Sequence, residues 1–233
     1  MISTAPVVAI VVAAGAGVRL GAGAPKALRE VAGRTLVRHS LDGLAAGGVN
    51  RAIVVIPAGE QAAFETVLAD SPIPAATVLG GARRQDSVRA GLAAIAGDPV
   101  LAECEYVLVH DAARAMVPGD MVARVIAALD DGAVGCIPVL PVTDSMRRIT
   151  DEGSQVVDRS ALRIVQTPQG FVRTVLVEAL AHAQATGLDV TDDASAVAEL
   201  GHPVALVDGD RAALKVTEPT DLVLVEAIAR SRS

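Results

Sequence analysis

Apolar residues in this chain fall into short unbroken runs separated by longer amphipathic stretches. The run over 7–13 has no polar interruption, so it reads as a strand buried on both faces. Similar runs lie at 52–56, closed by Pro57, at 77–79, ending in Gly80-Gly81, and at 106–109, ending in His110-Asp111. Two more follow at 133–139 and 204–207. Between them a 3.6-residue period predicts helices. One covers 35–47, with Val37, Leu41 and Leu44 on one face; others cover 61–68, 87–95, 171–186 and 193–200. Asp120 reads as the N-cap of a helix whose stripe is Met121, Val122, Val125, Ile126 and Leu129. Pro219 sits in the first turn of a last helix that runs to about Arg230. Strands alternating with helices predict an α/β fold with a largely parallel sheet covered on both faces. No repeat, low-complexity tract or linker interrupts the pattern, so 1–233 reads as a single domain.

The segment at about 141–167 breaks the alternation. Residues 145–150 and 155–159 flank the turn signal Asp151-Glu152-Gly153-Ser154, which predicts a β-hairpin arm. The arm is polar, and three readings stay open: a flap over a site, a dimer contact, or a plain surface insertion.

Composition narrows the function classes. Hydrophobic residues make up 52% of the chain but aromatic ones only 1%, so the core must be built from Ala, Val, Leu and Ile. A net charge of −7 argues against a nucleic-acid surface, and a chain with no Trp, one Tyr and two Phe lacks a stacking platform for single strands. Cys104 and Cys136 fit neither a zinc spacing nor a disulfide framework and read as small buried residues in a reducing compartment. The N-terminal apolar run is too short to span a bilayer and lacks a basic flank. The expectation is a soluble cytoplasmic protein.

The loop after the first strand carries the chemistry. Residues 13–26 hold four glycines (Gly15, Gly17, Gly21, Gly23) and the cations Arg19 and Lys26. Glycine lets backbone N–H groups approach a ligand closely, and Arg and Lys add charge, a combination suited to a polyphosphate. At fourteen residues it exceeds the roughly 2–6 typical of a simple βα connection. The P-loop pattern fails because Ala27 follows Lys26. The dinucleotide fingerprint fails because Leu20 stands where the third glycine belongs. The pattern A-A-G-x-G-x-R-x-G…P-K does fit. It resembles the signature of nucleotidylyltransferases that activate sugar and polyol phosphates.

Further polar groups fall in loops at the carboxyl ends of the predicted strands, where open α/β sheets bind ligands. In order they read G-G-x-x-R-x-D-S-V (from Gly80), V-H-D-A-A-R (from Val109), V-D-R (from Val157), T-P-Q (from Thr167), T-D-D-A-S (from Thr191) and K-V-T (from Lys215). Over nearly its whole length the chain thus resembles the 2-C-methyl-D-erythritol 4-phosphate cytidylyltransferase family of non-mevalonate isoprenoid biosynthesis. The resemblance implies Rossmann-like α/β subunits with a protruding β-arm, paired as a homodimer through that arm. It implies Mg²⁺, and CTP and a polyol phosphate as substrates, giving a CDP-polyol and pyrophosphate.

In such a reaction the nucleophile is a phosphate whose second pKa is about 6, already mostly dianionic at neutral pH. No base is needed, and cations and positioning carry the catalysis. The resemblance implies that Arg19 and Lys26 stabilise the transition state and the leaving pyrophosphate. It implies that Arg159 and Lys215 position the attacking phosphate. Gly15 and Gly17 fall in the nucleotide loop, and the small residues Ala13, Ala14 and Gly81 with Ser87 leave room for cytosine but little for a purine. Ser87 has a competing role as N-cap of its helix. Asp111 is expected to bind the polyol or the metal, against the plainer reading of an Asx-turn or cap. Arg114, Thr167 and Thr191 are further substrate candidates. Ser145, in the arm, would act on the partner's site. His110 reads as a packed group, and His39, His182 and His202 as solvated or structural. Two departures from the family pattern stand out: Ala82 replaces a polar or acidic residue, and Ser145 replaces Thr. Neither removes a charge from the expected mechanism. The rivals are a ribitol 5-phosphate cytidylyltransferase, a non-catalytic nucleotide-binding subunit and an NAD-dependent oxidoreductase. The last is disfavoured by the displaced glycine and by Arg19.

Overall fold

The computed structural model describes residues 6–15, 17, 20 and 25–232. The chain opens with β1 (Val8–Val12), a small hairpin of β2 (Glu30–Val31) and β3 (Arg34–Thr35), and α1 (Leu36–Ala46). The Thr35 hydroxyl caps α1 by accepting from the Arg38 N–H at 3.4 Å. Then come β4 (Arg51–Ile56), α2 (Gln61–Leu68), β5 (Ala75–Leu79), α3 (Arg84–Gly97), β6 (Tyr106–Asp111), α4 (Gly119–Asp130) and β7 (Gly135–Pro141). The arm is β8 (Met146–Thr150) and β9 (Gly153–Val157). Short strands β10 (Arg163–Val165) and β11 (Gln169–Val172) lead into α5 (Arg173–Thr186), α6 (Asp193–Glu199), β12 (Ala205–Asp208) and α7 (Pro219–Ser231).

One eight-stranded sheet organises these elements. Strands β5, β4, β1 and β6 are parallel neighbours in that order. Next to β6 lies β11, antiparallel to it and to β7, and β12 pairs in parallel with β7. Cys136 pairs with both β11 and β12, and Val139 with both β10 and β12. A strand has two edges, so β10 and β11 follow one another along one edge of β7. Only they run against the common direction, which makes the sheet mostly parallel with helices on both faces.

Alternate strand residues feed two cores. Ala9, Val11, Val54 and Leu108 pack with Leu41 and Leu44 of α1 and with Val122 and Val125 of α4. Val8, Ile10, Val55 and Val109 pack with Val88 of α3, Leu176 of α5 and Val197 of α6. At Gly91 a Cβ would stand 2.6 Å from the Ile10 side chain, so glycine lets α3 lie close on β1. A third, smaller cluster joins Val225 and Ala229 of α7 to Val31, Leu36 and Val216. Cys104 and Cys136 are free and buried. Among the described residues no helix is long and apolar enough to cross a membrane.

The structure corrects several boundaries. The helix expected over 171–186 begins at Arg173, because residues 169–172 extend as β11 between β6 and β7. The α4 N-cap is Pro118, which leaves Asp120 inside the first turn, bound to Arg124 at 3.0 Å. Helix α3 starts three residues before Ser87, with Arg83 as its N-cap, and the Asp86 carboxylate accepts from the Arg83 N–H at 3.1 Å. Hairpin β2–β3 and strand β10 are too short to show a period in sequence. The arm forms as a separate two-stranded sheet, with Ile149 81% and Val156 74% exposed.

Candidate active site

Val12, the last residue of β1, is in register with Asp111, the last of β6, and with Val55 of β4. The loops leaving these strands therefore open side by side, where the sheet order reverses about β1. They enclose a cavity of about 220 Å³. One wall is Ala13, Ala14 and Gly15; another is Gly81 through Arg84 with Ser87; Lys26, Asp111 and Lys215 close it. The buried Ser87 hydroxyl accepts from the Gly81 N–H at 3.2 Å and donates to the Arg83 carbonyl, so it fixes the turn between β5 and α3. Gly17 has φ +62°, and a Cβ there would meet the Lys26 Cβ at 2.7 Å. Lys26 Nζ donates to the Val216 carbonyl at 3.1 Å, tying the glycine-rich loop to the segment that carries Lys215.

A second cavity of about 290 Å³ adjoins the first. Arg114, Thr167, Gln169, Thr191 and Asp192 line it, and it shares Arg84, Asp111 and Lys215 with its neighbour. The shared wall is a charge chain. Lys215 Nζ lies 2.6 Å from Asp111 Oδ2, Arg84 Nε 3.2 Å from Asp111 Oδ1, and Arg84 Nη1 2.7 Å from Asp193 Oδ2. Burial works against ionisation of Asp111, but Arg84 and Lys215 outweigh it and hold the carboxyl well below the usual range. Burial likewise disfavours the Arg84 charge, and Asp193 and Asp111 more than offset it. Burial pushes the Asp193 carboxyl up, opposed by Arg84.

Behind this wall His110 is fully buried, and burial pushes it down to about 4, so it is neutral at physiological pH. Its Nδ1 lies 3.1 Å from the Thr167 hydroxyl, which also accepts from the Asp111 N–H at 3.0 Å. Arg114 donates to the carbonyls of Ala213 at 2.8 Å and Val165 at 3.1 Å.

The sequence-based candidates thus gather unevenly. Ala13, Ala14, Gly15, Gly81, Ser87, Lys26, Asp111 and Lys215 line the first cavity; Asp111, Arg114, Thr167, Thr191 and Lys215 line the second. Gly17 backs Lys26. Arg19 lies outside the described residues. Ser145 and Arg159 are exposed at the base of the arm and line neither cavity; Arg159 Nη1 donates to the Thr143 carbonyl. Sequence reasoning gave no role to Arg84 or Asp193, although both stand in the quoted motifs. Their pairing joins residues 109 positions apart, which no local pattern displays.

The family model described as 2-C-methyl-D-erythritol 4-phosphate cytidylyltransferase matches residues 7–231. The chain belongs to this family. Among its relatives, the 2-C-methyl-D-erythritol 4-phosphate cytidylyltransferase of Saccharopolyspora erythraea is 46% identical over 225 residues, 95% of this chain and 98% of that one. The crystal structure of the enzyme of that name from Thermus thermophilus matches with a TM-score of 0.76 at 40% identity, over 95% of this chain and 98% of that one. The 4-diphosphocytidyl-2C-methyl-D-erythritol synthase of Anaerococcus prevotii matches with a TM-score of 0.83 at 25% identity, over 97% and 96% of the two chains.

The family is magnesium-dependent. Among the described residues no three His, Cys, Asp or Glu side chains come together as a metal cage. Magnesium in nucleotide enzymes commonly takes one or two carboxylates and completes its shell with phosphate oxygens and water. Among the described residues Asp111 is the carboxylate that lines the first cavity, so the residues fit that mode of binding rather than an all-protein site.

Proposed function

We propose that this chain joins CTP to 2-C-methyl-D-erythritol 4-phosphate in isoprenoid biosynthesis, with the nucleotide in the first cavity and the polyol phosphate in the second. The observation that carries this division is the shared wall of Arg84, Asp111 and Lys215, which puts fixed charge between the two cavities. An oxygen of the acceptor phosphate attacks the α-phosphorus of CTP. A new P–O bond forms, the bond from that phosphorus to the bridging β-oxygen breaks, and pyrophosphate leaves with the electron pair. The dianionic acceptor surrenders no proton, which agrees with His110 being buried and neutral behind the wall.

In this reading Lys26 and Arg19 counter the charge growing on the leaving group and the pentacoordinate phosphorus. Lys215, held by Asp111, orients the incoming phosphate. Gly81, kept in place by Ser87, and the Ala13-Ala14 backbone read the cytosine edge. Arg114 and Thr191 line the acceptor side. Asp111 would hold magnesium, which would supply charge neutralisation to the triphosphate. Arg159 and Ser145, which line neither cavity of their own subunit, act across a homodimer in the partner's acceptor cavity.

Pyrophosphate release with Mg²⁺ and CTP tests the assignment, with methylerythritol phosphate compared against ribitol 5-phosphate. Release with methylerythritol phosphate alone is expected. Release with ribitol 5-phosphate alone would keep the chemistry and overturn the acceptor.

A further inference from the structure

Asp193 opens α6 and is 1% exposed, yet it lines neither cavity. Its partner is Arg84, which opens α3 on the other side of the site. Burying such a pair contributes little to stability, because desolvating both charges cancels most of their attraction. Geometry gives it another use. A guanidinium is a rigid planar fork, so seating Nη1 on Asp193 dictates where Nε points. Here Nε points at Asp111 Oδ1, and the other oxygen of that carboxylate holds Lys215. The distances along the chain Asp193–Arg84–Asp111–Lys215 are 2.7, 3.2 and 2.6 Å, and its far end is the cation on the acceptor side.

We propose that Asp193 is a positioning residue that acts through Arg84 as a strut, setting the Asp111–Lys215 pair so that the acceptor phosphate is aligned for attack. The strut also ties the start of α6, and with it Thr191 on the second cavity, to the start of α3 on the first. The inference rests on the cytidylyltransferase reading. It adds to it a residue that touches no substrate.

The test measures kcat and KM for methylerythritol phosphate at saturating CTP, the Kd for CTP alone by calorimetry, and the unfolding midpoint. The proteins are the wild type, Asp193→Asn, Arg84→Lys and the double variant. Loss of the strut is expected to lower kcat/KM for the acceptor about 10- to 100-fold in Asp193→Asn, the scale of a small misplacement of reacting groups. The CTP Kd is expected to move by less than about threefold, because the backbone walls of the first cavity remain. The double variant is expected to lose no more than Arg84→Lys alone, since both substitutions break one unit. Arg84→Lys keeps the cation but cannot span two carboxylates, so it carries the same test should Asp193→Asn not fold.

Three results would each overturn the strut: a folded Asp193→Asn with kcat/KM within about twofold of wild type, a loss shared equally with CTP binding, or losses that multiply in the double variant. An inactive wild type would instead refute the reading beneath it, so the two failures are told apart in one assay.

Discussion

Single residues decide how charge is presented in this site. Gly17 shows this most directly. Its φ of +62° is costly for a residue with a side chain, and an added Cβ would press on Lys26 at 2.7 Å. Gly17→Ala is therefore expected to lower turnover by displacing Lys26, with a stability loss of only about 1–2 kcal/mol. Steady-state kinetics beside thermal unfolding would separate the two effects; a variant with full activity would remove Lys26 placement as the reason for this glycine. Lys26→Met removes the charge itself and is expected to cost about 10²- to 10³-fold in kcat, the usual scale for one group that stabilises transition-state charge. Ordinary turnover in that variant would exclude Lys26 from the chemistry.

At the scale of elements the arm holds the two most exposed large hydrophobic side chains among the described residues. Arg147 pairs with Val156 across the hairpin and Ile149 lies two residues on, so Ile149 and Val156 share one face. Both are well exposed, and an isolated two-stranded ribbon is only marginally stable in water. A partner subunit covering this face would supply the missing burial and bring Arg159 to the neighbouring acceptor cavity. In the proposed homodimer, Ile149→Asp with Val156→Asp is expected to shift the assembly to monomer in sedimentation and to cut turnover by more than about tenfold, the scale lost when a phosphate-positioning group is removed. A dimer unaffected by both charges would place the subunit contact elsewhere.

At the scale of the whole molecule, stability and pH are linked through His110. Its folded pKa of about 4 lies below the ordinary value of 6.5, because burial disfavours the imidazolium. The unfolded chain therefore takes up a proton there first as the pH falls. The stability this group contributes is complete above about pH 6.5 and is lost between there and pH 4, by up to roughly 3 kcal/mol. Urea unfolding at pH 7, 5.5 and 4.5 would measure the slope, and His110→Gln should flatten it. A wild-type slope retained in full by that variant would assign the effect to other groups.

Much was legible before any tertiary structure was known, and for a physical reason. Buried parallel strands must be apolar on both faces, so β1, β4 and β6 stand out as unbroken runs. A loop that wraps phosphate needs glycine and fixed cations close together in sequence, so the nucleotide side of the site is a local pattern. What the sequence did not display depends on contacts between remote positions. Gln169–Val172 is a strand because β6 and β7 offer it hydrogen bonds on both sides. Ser87 steadies the Gly81 turn rather than capping a helix because α3 begins earlier than its apolar stripe. Arg84 stands in a loop motif and Asp193 at a helix start 109 residues later, and nothing local joins them until the fold brings the starts of α3 and α6 together. The sequence by itself determined the α/β alternation, the phosphate-binding loop and the family. Only the tertiary structure decided which charges face one another, because ion pairing is set by distance in space and the pairs that build this wall are far apart along the chain.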